Sequence, residues 1–268
     1  MAMTVFSFAQ VQKIDNLQVN TTLTPPLVTK VQMDALTPAA GLMVYCTDCV
    51  PAGLYVNNGG TFLSQQTFVA SDAGVVLAAG EVLSPTGKVW MDKNLGATQV
   101  ATSSTDVDSY GDLYQWGRNT DGHEIRTSAV VAGPAADATA AGSDFISNAT
   151  TPFDWLDTPD DTLWNGAVKG AEDPCPTGYR VPTNTELNNE LLLFTSNNSV
   201  GAFASALKLP VAGFRYHDTG TLTSVGTYGY YWSSTFTGTN AHILRFYSDA
   251  SMSSSYRTRG YSVRCIKE

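Results

Sequence analysis

The sequence has few charged residues, and fewer of them are basic than acidic. Asp, Glu, Lys and Arg make up 15% of its 268 residues, and the net charge is −9. Nucleic-acid binding needs clustered Lys and Arg, so this balance argues against a nucleic-acid partner. Long amphipathic helices are also scarce, whereas Gly, Ser, Thr and Asn are abundant. These features predict short strands, many turns and few helices.

Long hydrophobic runs are absent as well. No segment of about 18 apolar residues occurs, which predicts that the chain does not insert into a membrane. Residues 1–10 lack the basic start and the full apolar stretch of a secretory signal. We therefore expect either that a signal has been removed or that the protein leaves the cell by another route.

Sequence signatures of catalysis are missing. The three histidines are His123, His217 and His242. None of them has the H-x-x-x-H spacing of a metal site, and no G-x-S-x-G elbow presents a nucleophilic serine. The acidic pairs Asp106/Asp108 and Asp160/Asp161 are typical of solvated loops. We therefore expect no enzymatic activity.

Cysteine is scarce, with four residues in the chain. Cys46 and Cys49 form a C-x-x-C pair, but no second pair or nearby His completes a zinc site. In a redox motif a helix follows the cysteine pair, whereas here turn residues follow it. We interpret it as a local disulfide or as two loop thiols. A disulfide or buried thiol contact between Cys175 and Cys265 would tie the C-terminal strand to the centre of the domain.

Proline and glycine positions divide the chain into three predicted regions. Residues 1–25 alternate weakly and end at a Pro-Pro pair, which predicts an extended attachment arm or a disordered terminus. Residues 26–75 contain short apolar runs around the Asn57–Gly60 turn signal and predict a small β-meander. Because such a meander is marginal alone, we expect it to oligomerise or to pack on the next domain. Residues 76–268 form the large domain.

One segment carries a clear helix signal. Thr183, with Glu186 three residues later, is a capping box, and Leu187, Leu191 and Phe194 follow at helical spacing. A helix over 184–194 is therefore predicted. Other patterns in the large domain predict strands within 80–92, a helical turn at 110–118 with Leu113 and Trp116 inward, a loop at 127–150 and a strand at 207–216. In the meander they predict strands at 42–45, 53–56 and 61–63, and a helix or strand at 28–33.

The C-terminal stretch 228–268 has the pattern of a binding surface on a rigid scaffold. Apolar strand-like runs flank a serine-rich turn at 248–255. Alternation predicts two faces, Leu244 and Phe246 on one, and Ile243, Arg245 and Tyr247 on the other. Tyr and Arg among small polar residues resemble the composition of antibody paratopes. The predicted ligand-binding residues are Thr237, Asn240, His242, Arg245, Tyr247, Asp249, Met252, Ser254, Tyr256 and Arg257.

The predicted meander resembles a module of bacteroidete surface proteins and phage-tail-like proteins. The resemblance rests on T-P-x-x-G-L-M-V-Y at 37–45 and on G-x-Y-x-x-N-G at 53–59. Such modules are often seen in trimeric fibre stems. The resemblance therefore implies a homo-oligomer, and a trimer is the expected number.

The large domain resembles the Fibrobacter succinogenes major paralogous domain. Six motifs occur in the family's order, at 87–97, 110–118, 173–183, 207–213, 229–235 and 260–265. The one departure is Asp173, where Asn is usual. The resemblance implies a C-type-lectin-like fold over 76–268, which is an α+β domain rich in loops, with small antiparallel sheets and one or two short helices. The same fold carries the ligand-binding surfaces of phage tropism determinants and retroelement-diversified variable proteins, where the variable residues lie near the C-terminus.

Calcium is the one cofactor to consider. Lectins of this fold bind sugar through Ca²⁺ held by E-P-N or Q-P-D and W-N-D motifs, and neither pattern occurs here. We expect no cofactor and no metal: the acidic loops 106–112 and 154–161 are interpreted as exposed acids, with a structural Ca²⁺ held by their oxygen ligands as the alternative. Formylglycine-generating oxidases share the fold, but they need a cysteine pair in a cleft, and Cys175 and Cys265 both stand in framework motifs.

These resemblances imply a non-enzymatic receptor-binding or adhesion protein. We expect a fibre or surface decoration of a phage or phage-like contractile particle, which binds a cell-surface glycan or protein through its C-terminal face. The N-terminal arm would attach to other structural proteins of the particle. Such particles are assembled in the bacterial cytoplasm and act outside the cell. The alternative is a secreted or surface-anchored bacterial adhesin whose signal has been removed.

Overall fold

The computed structural model describes residues 27–36, 42–49, 53–57, 62–64, 77–164 and 166–268. The chain divides into two compact units, Met1–Ala70 and Ser71–Glu268. The predicted arm at 1–25 and the turn residues 58–60 lie outside the described residues. No helix in the described ranges is long and apolar enough to cross a bilayer.

The first unit contains a small four-stranded sheet. Its strands are β1 (Leu27–Val28), β2 (Met43–Cys46), β3 (Gly53–Asn57) and β4 (Phe62–Ser64). Strands β2 to β4 form the predicted antiparallel meander, and β1 adds to it in parallel with β2. Helix α1 (Lys30–Asp34) follows β1 and begins with a capping box between Thr29 and Gln32. The segment 28–33 therefore holds both a strand end and a helix.

The core of the first unit is built around a disulfide. Cys46 and Cys49 are bonded, and Met33, Val44 and Tyr55 are buried beside them. Among the described residues of this unit, few apolar side chains contribute to the core. A unit of this size gains little stability from burial alone, which favours association with further chains.

The second unit consists of short strands joined by long loops. Its strands are β5 (Glu81–Leu83), β6 (Val89–Met91), β7 (Tyr114–Gln115), β8 (Val130–Ala132), β9 (Phe145–Ser147), β10 (Tyr179–Arg180), β11 (Phe214–Arg215), β12 (Leu222–Thr223), β13 (Gly229–Thr237), β14 (Asn240–Phe246), β15 (Ala250–Tyr256), β16 (Gly260–Tyr261) and β17 (Ile266–Lys267). Its helices are α2 (Asn184–Leu191), α3 (Ser199–Ala204) and the 3₁₀ turn Val107–Ser109.

Antiparallel pairing dominates the second unit. The sheets have the orders β10-β17-β6-β5, β12-β11-β16-β7 and β13-β14-β15, and β8 pairs with β9 in parallel. Small antiparallel sheets with few short helices make this a loop-rich α+β fold, as the resemblance implies, and the short strands and few helices agree with the composition.

The sheet β13-β14-β15 separates two hydrophobic cores. Leu244 and Phe246 belong to one core, together with Leu187 of α2. Ile243 and Trp232 belong to the other. The predicted alternation along β14 is confirmed, but Ile243 is buried and is not part of a displayed face.

The capping box of α2 is also confirmed. The Thr183 side chain accepts from the Glu186 backbone N–H, and the Glu186 side chain accepts from the Thr183 backbone N–H. The same carboxylate receives two hydrogen bonds from Arg180, at 2.8 and 2.6 Å. The helix ends at Leu191, three residues before the predicted end at Phe194.

The predicted serine-rich turn at 248–255 is wrong for most of its length. Residues 250–256 form strand β15, and each of them pairs with a residue of β14. Serine has little intrinsic preference for strands, but strand preference depends strongly on pairing with a neighbour. Here the long apolar strand β14 supplies that neighbour.

Three other local predictions need correction. Only Phe214–Arg215 of the predicted strand 207–216 pairs, because Pro210 lacks an N–H and Gly213 adopts φ 69°. The predicted helical turn at 110–118 contains strand β7 instead, although Leu113 and Trp116 are buried as expected. The predicted loop 127–150 contains β8 and β9.

A second disulfide joins Cys175 to Cys265, 90 residues apart in sequence. Both cysteines are buried in the core that contains Trp232 and Ile243. Cys265 immediately precedes β17, the strand that pairs with β6 and β10. The disulfide thus attaches the C-terminal end of the chain to the loop before β10.

Candidate functional site

The predicted ligand-binding residues do not form one surface. Thr237 and Asn240 lie at the β13–β14 hairpin, and Arg245, Tyr247 and Asp249 lie at the other end of β14. His242, Met252 and Ser254 lie on the same face of the sheet as Leu244, and Met252 packs against the core on that face. The strand register therefore divides the set between two ends and two faces of the sheet.

Arg257 is buried, so the prediction that it lies on the exposed surface is wrong. Its side chain is 1% exposed, and its guanidinium carbon lies 4.4 Å from the centre of the Trp116 ring. It donates hydrogen bonds to the Asp161 carboxylate and to the Gly238 carbonyl, and it lies 3.8 Å from Asp154. These contacts tie the β13–β14 hairpin to the loop 154–161, which is a structural role.

Four tyrosine rings stack in a row beside the central sheet, in the order Tyr247, Tyr228, Tyr230, Tyr261. Successive ring centroids are 4.4, 5.8 and 4.9 Å apart, and successive rings are tilted by 23°, 3° and 15°. Tyr261 is fully buried, whereas the other three are half-buried. Because the faces of the inner rings cover each other, this tyrosine row presents ring edges and hydroxyl groups to solvent.

Arg245 and Asp249 close the tyrosine row at its Tyr247 end. The Arg245 guanidinium donates to both carboxylate oxygens of Asp249, at 3.2 and 3.0 Å, and lies 5.5 Å from the Tyr247 ring. On β14, Arg245 stands opposite Tyr230 and Ser251 of the neighbouring strands. The Tyr247 end of the row therefore carries the positive charge of Arg245, which forms an ion pair with Asp249.

Arg259 lies at the Tyr261 end, surrounded by aromatic rings. Its guanidinium carbon is 5.6, 5.4 and 5.3 Å from the ring centres of Phe214, Tyr216 and Tyr256. It donates one hydrogen bond of 3.1 Å to the Tyr261 hydroxyl. We call Arg259 with these three rings the arginine cage. Arg259, Tyr216 and Tyr256 are half-buried, so the cage reaches the surface.

The tyrosine row and the arginine cage are continuous. The Tyr230 and Phe214 ring centres are 5.1 Å apart in an edge-to-face arrangement. Together we call them the tyrosine–arginine face. Of its surface residues, the sequence prediction included Arg245, Tyr247 and Tyr256 but missed Tyr216, Tyr228, Tyr230 and Arg259. The density of Tyr and Arg after 215 is the signal that was available for them.

The Tyr230 hydroxyl of this face is a neutral hydrogen-bonding group. Burial, together with the neighbouring phenols of Tyr261 and Tyr228, raises the pKa of Tyr230 to about 12. A neutral phenol can both donate and accept a hydrogen bond. Stacking already restricts the rings, so binding would cost them little conformational entropy. Rigid Tyr and Arg groups of this kind are typical of the energetically important centre of protein interfaces.

Two carboxylates of the acidic loops, those of Asp106 and Asp154, are in contact with other groups of the chain. The Asp106 carboxylate accepts from the backbone and hydroxyl of Thr102 and from Gln99, and these hydrogen bonds lower its pKa. Asp154 is buried beside Arg257. The loops thus use these carboxylates in contacts within the chain.

A histidine and two carboxylates lie close together elsewhere in the described ranges, at Asp121, His123 and Glu124. The two ring nitrogens of His123 are already engaged. Nε2 accepts from the Gln115 backbone at 3.0 Å, and Nδ1 lies 2.6 Å from Asp121. Burial lowers the pKa of His123, in keeping with a neutral ring that donates to Asp121. The cluster is therefore a satisfied hydrogen-bond network.

Asp112 provides a test of the electrostatics in the first acidic loop. Burial, with a smaller contribution from Glu124, raises the pKa of its carboxyl from 3.8 to about 6. Because the folded state then binds the proton more tightly than the unfolded state, this group stabilises the fold as the pH falls from about 6 to about 4. At pH 8 the Asp112 carboxyl is ionised, and burial of this charge lowers the free energy of unfolding.

We expect Asp112→Asn to raise the free energy of unfolding at pH 8 by about 1–2 kcal/mol, discounted for partial exposure. This increase in the free energy of unfolding should become smaller as the pH is lowered towards 4.5. Urea unfolding followed by tryptophan fluorescence would measure both, because all five tryptophans lie in the second unit. The exposed Asp137→Asn variant, whose pKa is lowered by hydrogen bonds from Thr139 and Ala140, should show the opposite sign. An equal effect of Asp112→Asn at both pH values would contradict the assigned pKa.

Comparison with known proteins gives two family matches. Residues 11–77 match a phage tail like trimerisation region, and residues 194–266 match a domain of unknown function. No curated protein and no solved structure matches the chain. The first match covers the meander and the sequence on both sides of it, and it fits the resemblance to fibre stems.

The trimerisation match defines the broad class of the protein. It indicates a homotrimeric structural protein of phage tail-fibre type, and a component of an extracellular particle. The match with residues 194–266 covers most of the tyrosine–arginine face, including β13, β14 and β15. That second family carries no assigned function, so the role of the face is argued from its own chemistry.

Proposed function

We propose that this protein is the receptor-binding component of a phage or phage-like contractile particle, and that its tyrosine–arginine face contacts a cell-surface glycan or protein. The observation that carries the proposal is this rigid, half-buried face, in a chain that also has a trimerisation region. Trimerisation provides three copies of the face. Several weak contacts to one cell surface then combine into strong attachment.

Two further features support receptor binding. The six ordered motifs that resemble the Fibrobacter succinogenes major paralogous domain favour a C-type-lectin-like domain, a fold on which ligand-binding surfaces are common. The strands behind the face are anchored by the Cys175–Cys265 disulfide and by two cores. A rigid scaffold below a polar and aromatic surface is the arrangement that recognition sites require.

The second candidate is a bacterial adhesin that is secreted or anchored at the cell surface. The resemblance of the meander to modules of bacteroidete surface proteins favours it. Both candidates bind through the same face, and they differ in whether the protein is attached to a particle or to the bacterial cell surface. Isolation of the native protein decides between them: co-purification with tail tubes or baseplates supports the particle, and recovery with the cell envelope supports the adhesin.

Binding should depend on the exposed end of the tyrosine row. We expect Arg245→Ala and Tyr247→Ala each to weaken adsorption of the labelled full-length protein to susceptible cells by about tenfold or more, as for residues central to an interface. The measurement is a saturation curve on a panel of bacterial strains, with a glycan array alongside it. Neither side chain is in a hydrophobic core, so both variants should fold.

Two exposed residues away from the face serve as matched controls. Lys88→Ala removes a positive charge, and Val200→Ala removes apolar surface. Both should adsorb as the unmodified protein does. If Arg245→Ala and Tyr247→Ala also adsorb normally, the Tyr247 end of the tyrosine–arginine face is not part of the receptor-binding surface.

A further inference from the structure

Arginine side chains in this protein are almost all satisfied by the chain itself. The described ranges contain all eight arginines. Four of them pair with a carboxylate, namely Arg118, Arg180, Arg245 and Arg257. Three others donate to two or more backbone carbonyl groups, namely Arg126, Arg215 and Arg264. The remaining arginine is Arg259.

Arg259 has a different environment. Its side chain makes a single hydrogen bond, to the Tyr261 hydroxyl. Its buried Nε has no partner, as is also true of Arg180 and Arg257, but those two arginines each form an ion pair with a carboxylate. No carboxylate in the described ranges forms an ion pair with it. A guanidinium stays charged and has five N–H donors, so most of its donors are unused here. Unused donors of a charged group are costly unless water or a ligand takes them.

The ring contacts fix the guanidinium in place. Three aromatic ring centres lie 5.3–5.6 Å from the guanidinium carbon, and the edge formed by Nη1 and Nη2 carries one hydrogen bond, from Nη1 to Tyr261. A planar carboxylate matches that edge, because two parallel N–H···O bonds can form. The phenol hydroxyls of Tyr216, Tyr230 and Tyr256 border the cage and make no hydrogen bond to the described residues. They are available to a ligand rich in hydroxyl groups.

We propose that Arg259 binds the carboxylate of an acidic saccharide, such as a uronic or sialic acid, with the surrounding phenols bonded to the sugar hydroxyls. This proposal rests on the proposed receptor-binding function and names its ligand class. Arg259 is the one arginine of the described ranges with neither a carboxylate nor a carbonyl partner, and a lone guanidinium suits one isolated carboxylate. The net charge of −9 disfavours densely anionic partners such as nucleic acid or strongly acidic proteins.

An acidic peptide is the competing ligand, and the surroundings favour the saccharide. Recognition of acidic peptide motifs commonly uses clusters of arginines, whereas Arg259 is alone in its cage. A peptide also brings backbone amides that require pairing along a strand. The hydroxyl groups around Arg259 fit a polyhydroxylated ring better than a backbone of this kind.

The test compares glycopolymers that carry glucuronate, galacturonate or N-acetylneuraminate with matched polymers of glucose and galactose. Binding to the full-length protein is measured by biolayer interferometry at physiological salt. At least one acidic polymer should bind about tenfold more tightly than the neutral polymers, the range expected for hydrogen bonds to a charged group. Arg259→Gln should abolish that preference, and Arg259→Lys should keep part of it, because charge remains but bidentate geometry is lost.

Lys88→Gln is the matched control and should keep the full preference. Melting curves establish that the Arg259 variants are folded. If the unmodified protein shows no preference for any acidic polymer, the proposal is overturned whatever the variants do. A preference that survives Arg259→Gln also overturns it. Binding to a glutamate-rich peptide in place of the acidic polymers would assign the site to acidic peptides and would overturn the saccharide assignment.

The cell-adsorption assay separates this inference from the proposed function. If adsorption requires Arg245 and Tyr247 but is unchanged in Arg259→Gln, the receptor-binding function stands and the acidic-saccharide inference fails. If all three variants adsorb normally, the proposed function itself fails.

Discussion

Deletion of residues 1–77 should convert the protein from a trimer into a monomer that is still folded. The deleted part matches a trimerisation region, and its own core, formed by one disulfide and a few apolar side chains, is too small to be stable without association. The remaining part has two hydrophobic cores and the Cys175–Cys265 disulfide. Light scattering after size-exclusion chromatography should show the full chain at about 86 kDa, three times its 28.6 kDa, and the fragment as a single chain.

Two controls make this result interpretable. Residues 1–77 alone should form a trimer, and the tryptophan fluorescence of the fragment 78–268 should equal that of the full chain. A fragment 78–268 that remains trimeric would place the principal contacts between chains in the second unit. The monomer should also adsorb to cells at least a hundredfold more weakly, because linked sites gain about 10²–10⁴ in avidity.

Local signals made much of this fold predictable from the sequence. The capping box of Thr183 and Glu186 marks a helix start within one turn, so it needs no knowledge of distant contacts. The alternation of Leu244 and Phe246 follows from the period of a strand with one side in a core. The end of α2 was less predictable, because Leu191 and Phe194 both pack on that core although only Leu191 is helical.

Features that depend on distant partners were not predictable. Residues 250–256 alternate only weakly, with Ala250, Met252 and Tyr256 among serines, and they form a strand because β14 offers a pairing edge. The tyrosine–arginine face is assembled from separate segments around 214–216, 228–230, 245–247 and 256–261. Composition indicated that Tyr and Arg matter near the C-terminus. Only the fold shows which of these side chains meet, and which are occupied by the core.

Arg257 illustrates that limit, and its substitution should have a large effect on stability. We expect Arg257→Met to lower the free energy of unfolding by about 3–5 kcal/mol, the usual cost of removing one member of a buried ion pair. Both Arg257 and Asp154 are 1% exposed, and the pair is reinforced by Asp161 and by the Trp116 ring. The Met side chain fills a volume similar to that of Arg, so the loss of unfolding free energy comes mainly from removal of the charge. Urea unfolding followed by tryptophan fluorescence measures it.

The pH dependence of this loss distinguishes a broken ion pair from a packing defect. Burial raises the pKa of Asp154 to about 6, and Arg257 opposes that rise. Without Arg257 the pKa rises further, so the folded variant binds a proton that the unfolded chain releases. The loss of unfolding free energy in Arg257→Met should therefore be larger at pH 8 than at pH 5.

Addition of Asp154→Asn to Arg257→Met should recover part of this loss at pH 8, since no unpaired charge then remains buried. A loss that is equal at both pH values and unaffected by Asp154→Asn would assign Arg257 to packing against Trp116. In either case Arg257 would act on binding only through the stability of the hairpin, in contrast to Arg245, whose removal should weaken binding and leave stability unchanged.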